Sequence, residues 1–438
     1  MNGRRVVITG LGVVSPLGLT ADEFWQGLLD GRSGIAPIKA FDAGTFPCSL
    51  AGEVPEYKLR DYVPKSYRKA TKLMSRDIEL SVIAADEAFK SAGAITKAAE
   101  SGTPTFEPTR LAICFGAGLI SCDLNELAEC VAKAVTDGTF DLRKWGTAGM
   151  ENLTPLWLLK YLPNMLPCHV GIIHDIQAPS NTITCGEVSA YIAIAEAAEV
   201  ILRGDADAAV GGGAEAKVNP IVMMRQCLLK RSTTEHNDSP AAACRPFDAK
   251  ASGSVFGEAG GAILLEELKA AQQRNAPILA EFAGSASGNS LNPQIAHLEA
   301  DGLGLAMTIE AALAEAGIRV EDIDLIIPTG TGILLDDRAE ALALERVFGT
   351  KLDNIDVWAI KGMVSHTGAA AGSLDVAAAV KAIQTGKIGP SVNFQTPAAG
   401  CRLKLTRGVV EKPIRNVLCC GYSFGGQTAA VIVKRFEA

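Results

Sequence analysis

Positive charge is in short supply in this sequence: 41 Lys and Arg stand against 49 Asp and Glu over 438 residues, a formal net charge of −8. That balance argues against general nucleic-acid binding, which takes a basic surface to neutralise phosphates. No uncharged apolar run reaches the roughly 18 residues that a spanning helix needs, so no membrane span is expected. The eleven cysteines include no CxxC pair and no repeated metal-type spacing. They read as reduced, mostly buried thiols of a cytoplasmic protein, with no metal site. After Met1 the chain soon enters the apolar stretch Val6-Val-Ile-Thr9, without the h-region or cleavage site of a secretory signal. Aromatic residues make up only 5%, yet 48% hydrophobic residues are ample for a large core or two fused domains.

What is present is a loose internal duplication. Apolar runs ending in glycine turns recur in the same order in both halves, at 111–116, 208–213 and 261–265 and again at 325–330, 417–421 and 429–433. Helical patterns such as 78–92 and 304–316 lie between them. The pattern predicts two α/β halves with buried, mixed sheets between helix layers, 1–267 and 268–438, joined near 268–278. Residues 119–165 fit neither copy and are expected to form an insertion that caps a site or a subunit interface.

Residues 187–204 form a small, apolar helical stretch. Ala190, Ala193, Ala197 and Ala198 permit close packing, while Glu196, Glu199 and Arg203 fall on one wet stripe. Its leading residue is Glu187. The start of a buried helix offers unpaired N–H groups and the positive end of the macrodipole, a seat suited to activating a thiolate or holding an oxyanion. A carboxylate there is stabilised as an anion but is a poor acyl carrier.

Ordered motifs run through the rest of the chain. They are Val6-Val-Ile-Thr-Gly-Leu-Gly-Val-Val-Ser-Pro-Leu-Gly18, Asn164-Met-Leu-Pro-Cys-His169 with Ala178-Pro-Ser180, Gly211-Gly-Gly-Ala-Glu215, Arg245-Pro-Phe-Asp248 with Gly257-Glu-Ala-Gly260, Lys361-Gly-Met-Val-Ser-His366 and Ser423-Phe-Gly-Gly426. Together they resemble the β-ketoacyl-acyl-carrier-protein synthases, condensing enzymes of thiolase-like fold, over nearly the whole length. The resemblance implies a thiolase-like five-layered α/β/α/β/α architecture, a dimer, and a place in fatty-acid or polyketide biosynthesis.

In that family a cysteine at the start of the buried helix takes the acyl chain from a carrier protein, and two histidines assist decarboxylation of malonyl units. Carried over by motif, Glu187 of Glu187-Val-Ser-Ala190 replaces the cysteine, and Thr329 of Pro328-Thr-Gly-Thr-Gly332 stands where the first histidine would be. His366 and Lys361 remain, and the family's phenylalanine gate falls on Tyr422 and Phe424. The resemblance implies no cofactor beyond the phosphopantetheine arm that an acyl-carrier protein delivers.

Glutamate cannot form a thioester, and when ionised it cannot donate a hydrogen bond to an enolate. The resemblance thus implies a non-condensing, chain-length-factor-like subunit that shapes the acyl pocket of a cysteine-bearing ketosynthase, as a heterodimer, or else a homodimer. The alternative is an autonomous enzyme, either a malonyl-carrier-protein decarboxylase or a β-ketoacyl synthase with a relocated nucleophile. Cys185 is the obvious substitute; on a helix it would point about 200° away from Glu187.

Other signals have plainer readings. Gly10-Leu-Gly12-Val-Val-Ser15 is nearly a dinucleotide fingerprint, but serine replaces the third glycine and no suitable acidic residue follows, so a tight strand-to-helix turn suffices. His169 and His174 read as structural, His236 and His297 as solvated, and Lys361 as a partner for Glu340. Lys65, Arg68, Lys69, Lys72 and Arg76 recur at helical spacing and would form a basic stripe. That stripe is either an ordinary solvated face or a docking site for an acidic acyl-carrier protein.

Overall fold

The computed structural model describes residues 3–292 and 297–437. Strand β1 (Val6–Val14) is buried along its whole length inside an eleven-stranded mixed sheet. The first half adds β2 (Leu111–Ala117), β3 (Ser180–Ile183), β4 (Ala208–Ala216) and β5 (Glu258–Glu267). The second supplies β6 (Ala280–Asn289), β7 (Leu325–Ile327), β8 (Asp356–Val357), β9 (Lys404–Leu405), β10 (Asn416–Tyr422) and β11 (Gln427–Lys434). Their order in space is β9-β8-β7-β10-β11-β6-β1-β5-β4-β2-β3. Outward from the antiparallel β1–β6 pair, β1-β5-β4-β2-β3 on one side is answered by β6-β11-β10-β7-β8 on the other. The repeated apolar runs of the sequence fall on β2, β4 and β5 and then on β7, β10 and β11, so the duplication is one of topology.

Such continuous apolar strands need both faces covered. Helix α1 (Arg76–Ser91) lies on β1 and β5, and α3 (Leu303–Ala316) takes the matching place on β6 and β11. Between the halves, α2 (Ser189–Arg203) rests on β2 and β4, α4 (Ala371–Thr385) rests on β10, and the two helices pack on each other. The central helix pair touches strands of both halves of the sheet, so outer helix, one half-sheet, helix pair, the other half-sheet and outer helix make the five layers of a thiolase-like fold. Fully buried alanines, Ala190, Ala193 and Ala198 in α2 and Ala377, Ala378 and Ala379 in α4, let this central pair lie close to both sheet faces.

Gly10 and Gly12 lie inside β1, not in the strand-to-helix turn expected of them. A Cβ at Gly12 would stand 1.8 Å from the Ala84 carbonyl oxygen of α1, and one at Gly10 would stand 2.3 Å from that of Ala88. These glycines exist so that a helix can rest on the strand.

Residues 65–76 also depart from expectation. Lys65–Tyr67 and Ala70–Leu73 are separate 3-10 turns, Met74 and Ser75 are extended, and α1 starts only at Arg76. Burial of Met74 interrupts the helical register. Lys65, Arg68, Lys69 and Lys72 are exposed, but Arg76 turns inward. Its guanidinium makes two bonds of 3.1 and 2.7 Å to Glu258 and stands over the Tyr57 ring at 4.5 Å. The basic surface is therefore four cations on two turns, without Arg76.

Residues 119–165 contain the helix Leu124–Lys133 and a short hairpin, Val135–Thr136 with Thr139–Phe140. Several of their apolar side chains face outward, among them Leu119 (62% exposed), Leu142 (73%) and Leu156 (61%). No helix among the described residues is long and apolar enough to cross a membrane.

Candidate active site

A single 3-10 turn, Gly186–Val188, leads into α2, and Gly186 makes it possible by adopting φ 58°. The turn buries Glu187 at 5% exposure. One carboxylate oxygen, Oε1, accepts from both Nη1 and Nη2 of Arg231 at 3.1 Å, and Oε2 accepts the Phe424 N–H at 2.9 Å. Burial by itself raises a carboxyl pKa. Here Arg231, with smaller help from Lys217 and the Phe424 N–H, outweighs burial and holds Glu187 well below the usual carboxylate range. The side chain is ionised, as its place at the helix start implied, but its donors are different. They come from the turn after the helix Pro220–Leu228 and from the loop after β10, not from the first turn of α2.

Arg231 is itself buried, at 2% exposure. Its guanidinium stands over the rings of Phe424 and Phe256, at 5.1 and 5.5 Å. Nothing in the sequence marks it, because Leu229-Lys-Arg231-Ser-Thr reads as one more base in a polar loop.

His366 is reached through Ser365, which adopts φ 64° and ψ −178°. That region is nearly glycine-only and costs on the order of 1–3 kcal/mol for other residues. The strain is held by backbone bonds on either side: the His366 N–H donates to Val255 O at 2.7 Å, and the Gly257 N–H donates to His366 O at 3.1 Å. The imidazole stacks on Phe256 with centroids 5.0 Å apart. Burial pushes it down to about 3, against the pull of Glu187, so it is neutral at physiological pH. Nδ1 accepts the Gly368 N–H at 3.3 Å, which assigns the proton to Nε2. Nε2 faces Glu187 Oε1 at 3.7 Å, beyond hydrogen-bond reach.

A cavity of about 420 Å³ opens onto this group. Glu187, Arg231, Lys217 and Glu215 line its buried part, with Phe424 beside them, and Leu119, Pro163 and Arg225 also line it. Lys217 pairs with Glu215 at 2.6 Å. A cleft of about 510 Å³ elsewhere is bounded by Met74, Arg76, Glu126 and Asn219 and is lined by neither Glu187 nor Arg231. Size therefore does not identify the site; the convergence of charged groups does.

Against known families, residues 3–271 match Beta-ketoacyl synthase, N-terminal domain, and residues 279–395 match Beta-ketoacyl synthase, C-terminal domain. The chain belongs to the β-ketoacyl synthase family. This synthase-family chain is 31% identical over 439 residues to 3-oxoacyl-[acyl-carrier-protein] synthase 2 of Coxiella burnetii, covering 99% of each. It is 32% identical over 436 residues to the granaticin polyketide putative beta-ketoacyl synthase 1 of Streptomyces violaceoruber, again covering 99% of each. Among solved structures, the ishigamide ketosynthase/chain length factor matches with a TM-score of 0.84 at 27% identity, over 99% of this chain and 100% of that one. The ketosynthase complex AntDE:AntF gives 0.82 at 26%, with the same coverage.

The remaining family positions of this β-ketoacyl synthase relative divide into two groups. Phe424 lines the cavity and touches both members of the ion pair. Thr329, Lys361 and Tyr422 do not line it. The Thr329 N–H donates to Glu340 at 2.7 Å and its side chain is buried. Tyr422 is buried with its hydroxyl 3.4 Å from Thr331 Oγ1. Lys361 does not pair with Glu340, contrary to the sequence reading. Its Nζ lies 3.2 and 3.4 Å from the Asp375 carboxylate, which also accepts the Tyr191 hydroxyl at 2.6 Å. Glu340 is instead held by the Thr329 and Gly330 N–H groups. Lys361 thus ties α2 to α4 through a buried network, a pairing that depends on two helices far apart in sequence.

Cys185 is half-buried, packs its side chain on the core, and does not line the cavity. Burial raises its thiol pKa. His169 and His174 bond to Tyr67 and Thr96, at 2.9 and 2.8 Å. His297, expected to be solvated, instead meets the buried carboxylate of Asp336 at 3.1 Å, and this bond raises its pKa. His236 is half-buried, 3.4 Å from Ser239 Oγ.

Proposed function

We propose that this chain is a non-condensing, chain-length-factor-like subunit of fatty-acid or polyketide biosynthesis, which shapes the acyl pocket of a cysteine-bearing ketosynthase. One observation carries the reading: the residue at the nucleophile's place is an ionised glutamate tied to Arg231 and the Phe424 N–H. It cannot carry an acyl group as a thioester, and its charge opposes a developing enolate. His366, neutral and sealed behind it, adds no accessible base.

The partners follow from the surface and from the relatives. One structural relative is named a ketosynthase/chain length factor and another a type II PKS acyl-carrier protein in complex with its ketosynthase. Strand β3 ends the sheet, and Leu119, Leu142 and Leu156 are exposed, features that suit a second ketosynthase-like chain or a twin copy. Exposed Lys65, Arg68, Lys69 and Lys72 suit an acidic carrier protein whose phosphopantetheine arm would reach the cavity.

Intact mass spectrometry after incubation with acyl- and malonyl-carrier protein tests the role. We expect no covalent acyl adduct and no acetyl product from the chain alone, and condensation only in a mixture with a cysteine-bearing partner. An adduct or released acetyl group refutes it. Lys69→Glu/Lys72→Glu should weaken carrier-protein binding about tenfold and flatten its salt dependence; unchanged affinity removes the docking assignment.

A further inference from the structure

We propose that Arg231 is a specificity-determining residue: paired with Glu187 and held between Phe256 and Phe424, it plugs the inner end of this chain's own cavity, so that the cavity admits a polar arm but no acyl chain. The inference rests on the reading that a carrier-borne arm enters the cavity, not on the absence of condensation.

The pair forms part of the cavity's buried wall. Glu187 and Arg231 line it, while His366 and Phe256 stand behind them without lining it. An alkyl chain going deeper must displace a guanidinium and a carboxylate that are each other's main charge partners. The guanidinium has little freedom to leave. Its backbone is fixed by the Arg231 N–H to Gln226 O at 3.0 Å and by the Ser254 N–H to Arg231 O at 2.8 Å. Two aromatic rings bound its plane, and Gln226 Oε1 lies 3.4 Å from Nη1. Nε is buried without a hydrogen-bond partner. Moving the guanidinium aside would separate two buried, paired charges, which an alkyl chain cannot compensate.

The test is chain-length dependence of binding. Acetyl- and octanoyl-pantetheine amides are titrated calorimetrically into the full-length protein and into Glu187→Ala/Arg231→Ala. Each methylene buried from water is worth about fourfold in affinity, so three buried methylenes give about 60-fold. The wild type is expected to show no octanoyl preference, and the double variant to prefer octanoyl by about 60-fold. A graded wild-type preference overturns the plug, as does a variant with native circular dichroism that gains nothing with chain length. If the variant fails to fold, the wild-type titration decides alone: no preference supports the plug and a graded preference refutes it. A covalent adduct in the mass experiment would refute the non-condensing role and leave the plug standing, so the two failures are distinguishable.

Discussion

Removing Arg231 tests the electrostatics of the site most directly. Arg231→Met keeps much of the volume but leaves Glu187, at 5% exposure, with one backbone N–H and no cation in hydrogen-bond contact. Breaking a buried pair from one side costs about 3–5 kcal/mol. Unfolding entropy of about 2.1 cal/mol/K per residue over the 438-residue chain converts a loss of 4 kcal/mol into a drop of about 4 °C in Tm. Glu187→Leu should cost somewhat less, because the stranded guanidinium keeps the faces of Phe256 and Phe424. The double variant Glu187→Leu/Arg231→Met removes both charges and should lie within about 1 kcal/mol of wild type. The coupling energy of the cycle, from urea unfolding at pH 7.5, should then exceed about 2 kcal/mol. The pH dependence supplies a second check. Without Arg231, burial raises the folded-state pKa of Glu187 above its unfolded value of about 4.3. A raised carboxyl favours the folded state at low pH and loses that contribution as pH rises through the folded pKa. The Arg231→Met deficit should therefore shrink on acidification from pH 8 to pH 5. A loss below about 0.5 kcal/mol, or a deficit that grows on acidification, would refute the reasoning.

Three further outcomes follow from the same geometry. Glu187→Cys places a thiol beside Arg231, which lowers its pKa, so iodoacetamide should label it at pH 7 at least about tenfold faster than Cys185, whose thiol burial raises; equal rates in peptide mapping would contradict this. His366, pushed down to about 3 in the folded state, titrates near 6.5 when unfolded, so its contribution is present above 6.5 and lost as pH falls toward 3. Between pH 7 and pH 4.5 the wild type should lose about 2–3 kcal/mol relative to His366→Gln in urea melts, and parallel losses would disprove a buried neutral imidazole. Gly12→Ala drives a methyl to within 1.8 Å of Ala84 O and should cost about 3 kcal/mol, whereas a tolerant Tm would mean that α1 can lift off β1.

The sequence was legible where a local pattern has one meaning. Apolar runs recurring along the chain marked the strands of two similar halves, and the alanine-rich stretch 187–204 marked the buried central helix, which starts at Ser189. Glu187 and Thr329 were singled out because each sits in a motif that resembles a family counterpart, and of the two only Glu187 lines the cavity. The reading failed where a residue's neighbour lies elsewhere in the chain. Lys361 was paired with Glu340, but it bonds to Asp375, whose carboxylate also accepts the Tyr191 hydroxyl. Arg76 continued a helical charge pattern, but Met74 ends that register and Glu258 draws the side chain inward. Gly10 and Gly12 looked like a turn because the helix resting on them is more than 60 residues away.

Ordered motifs by themselves determined the family, and the resemblance they carry implied the layered architecture and a glutamate at the place of the usual nucleophile, since motifs are written in residue type and spacing. Only the tertiary structure decided how the replacement is tolerated. Residues 187, 231, 366 and 424 come from four segments and meet in one buried site, where one cation holds the carboxylate ionised. Burial of that kind depends on every element packed around it, and no local stretch of sequence encodes it.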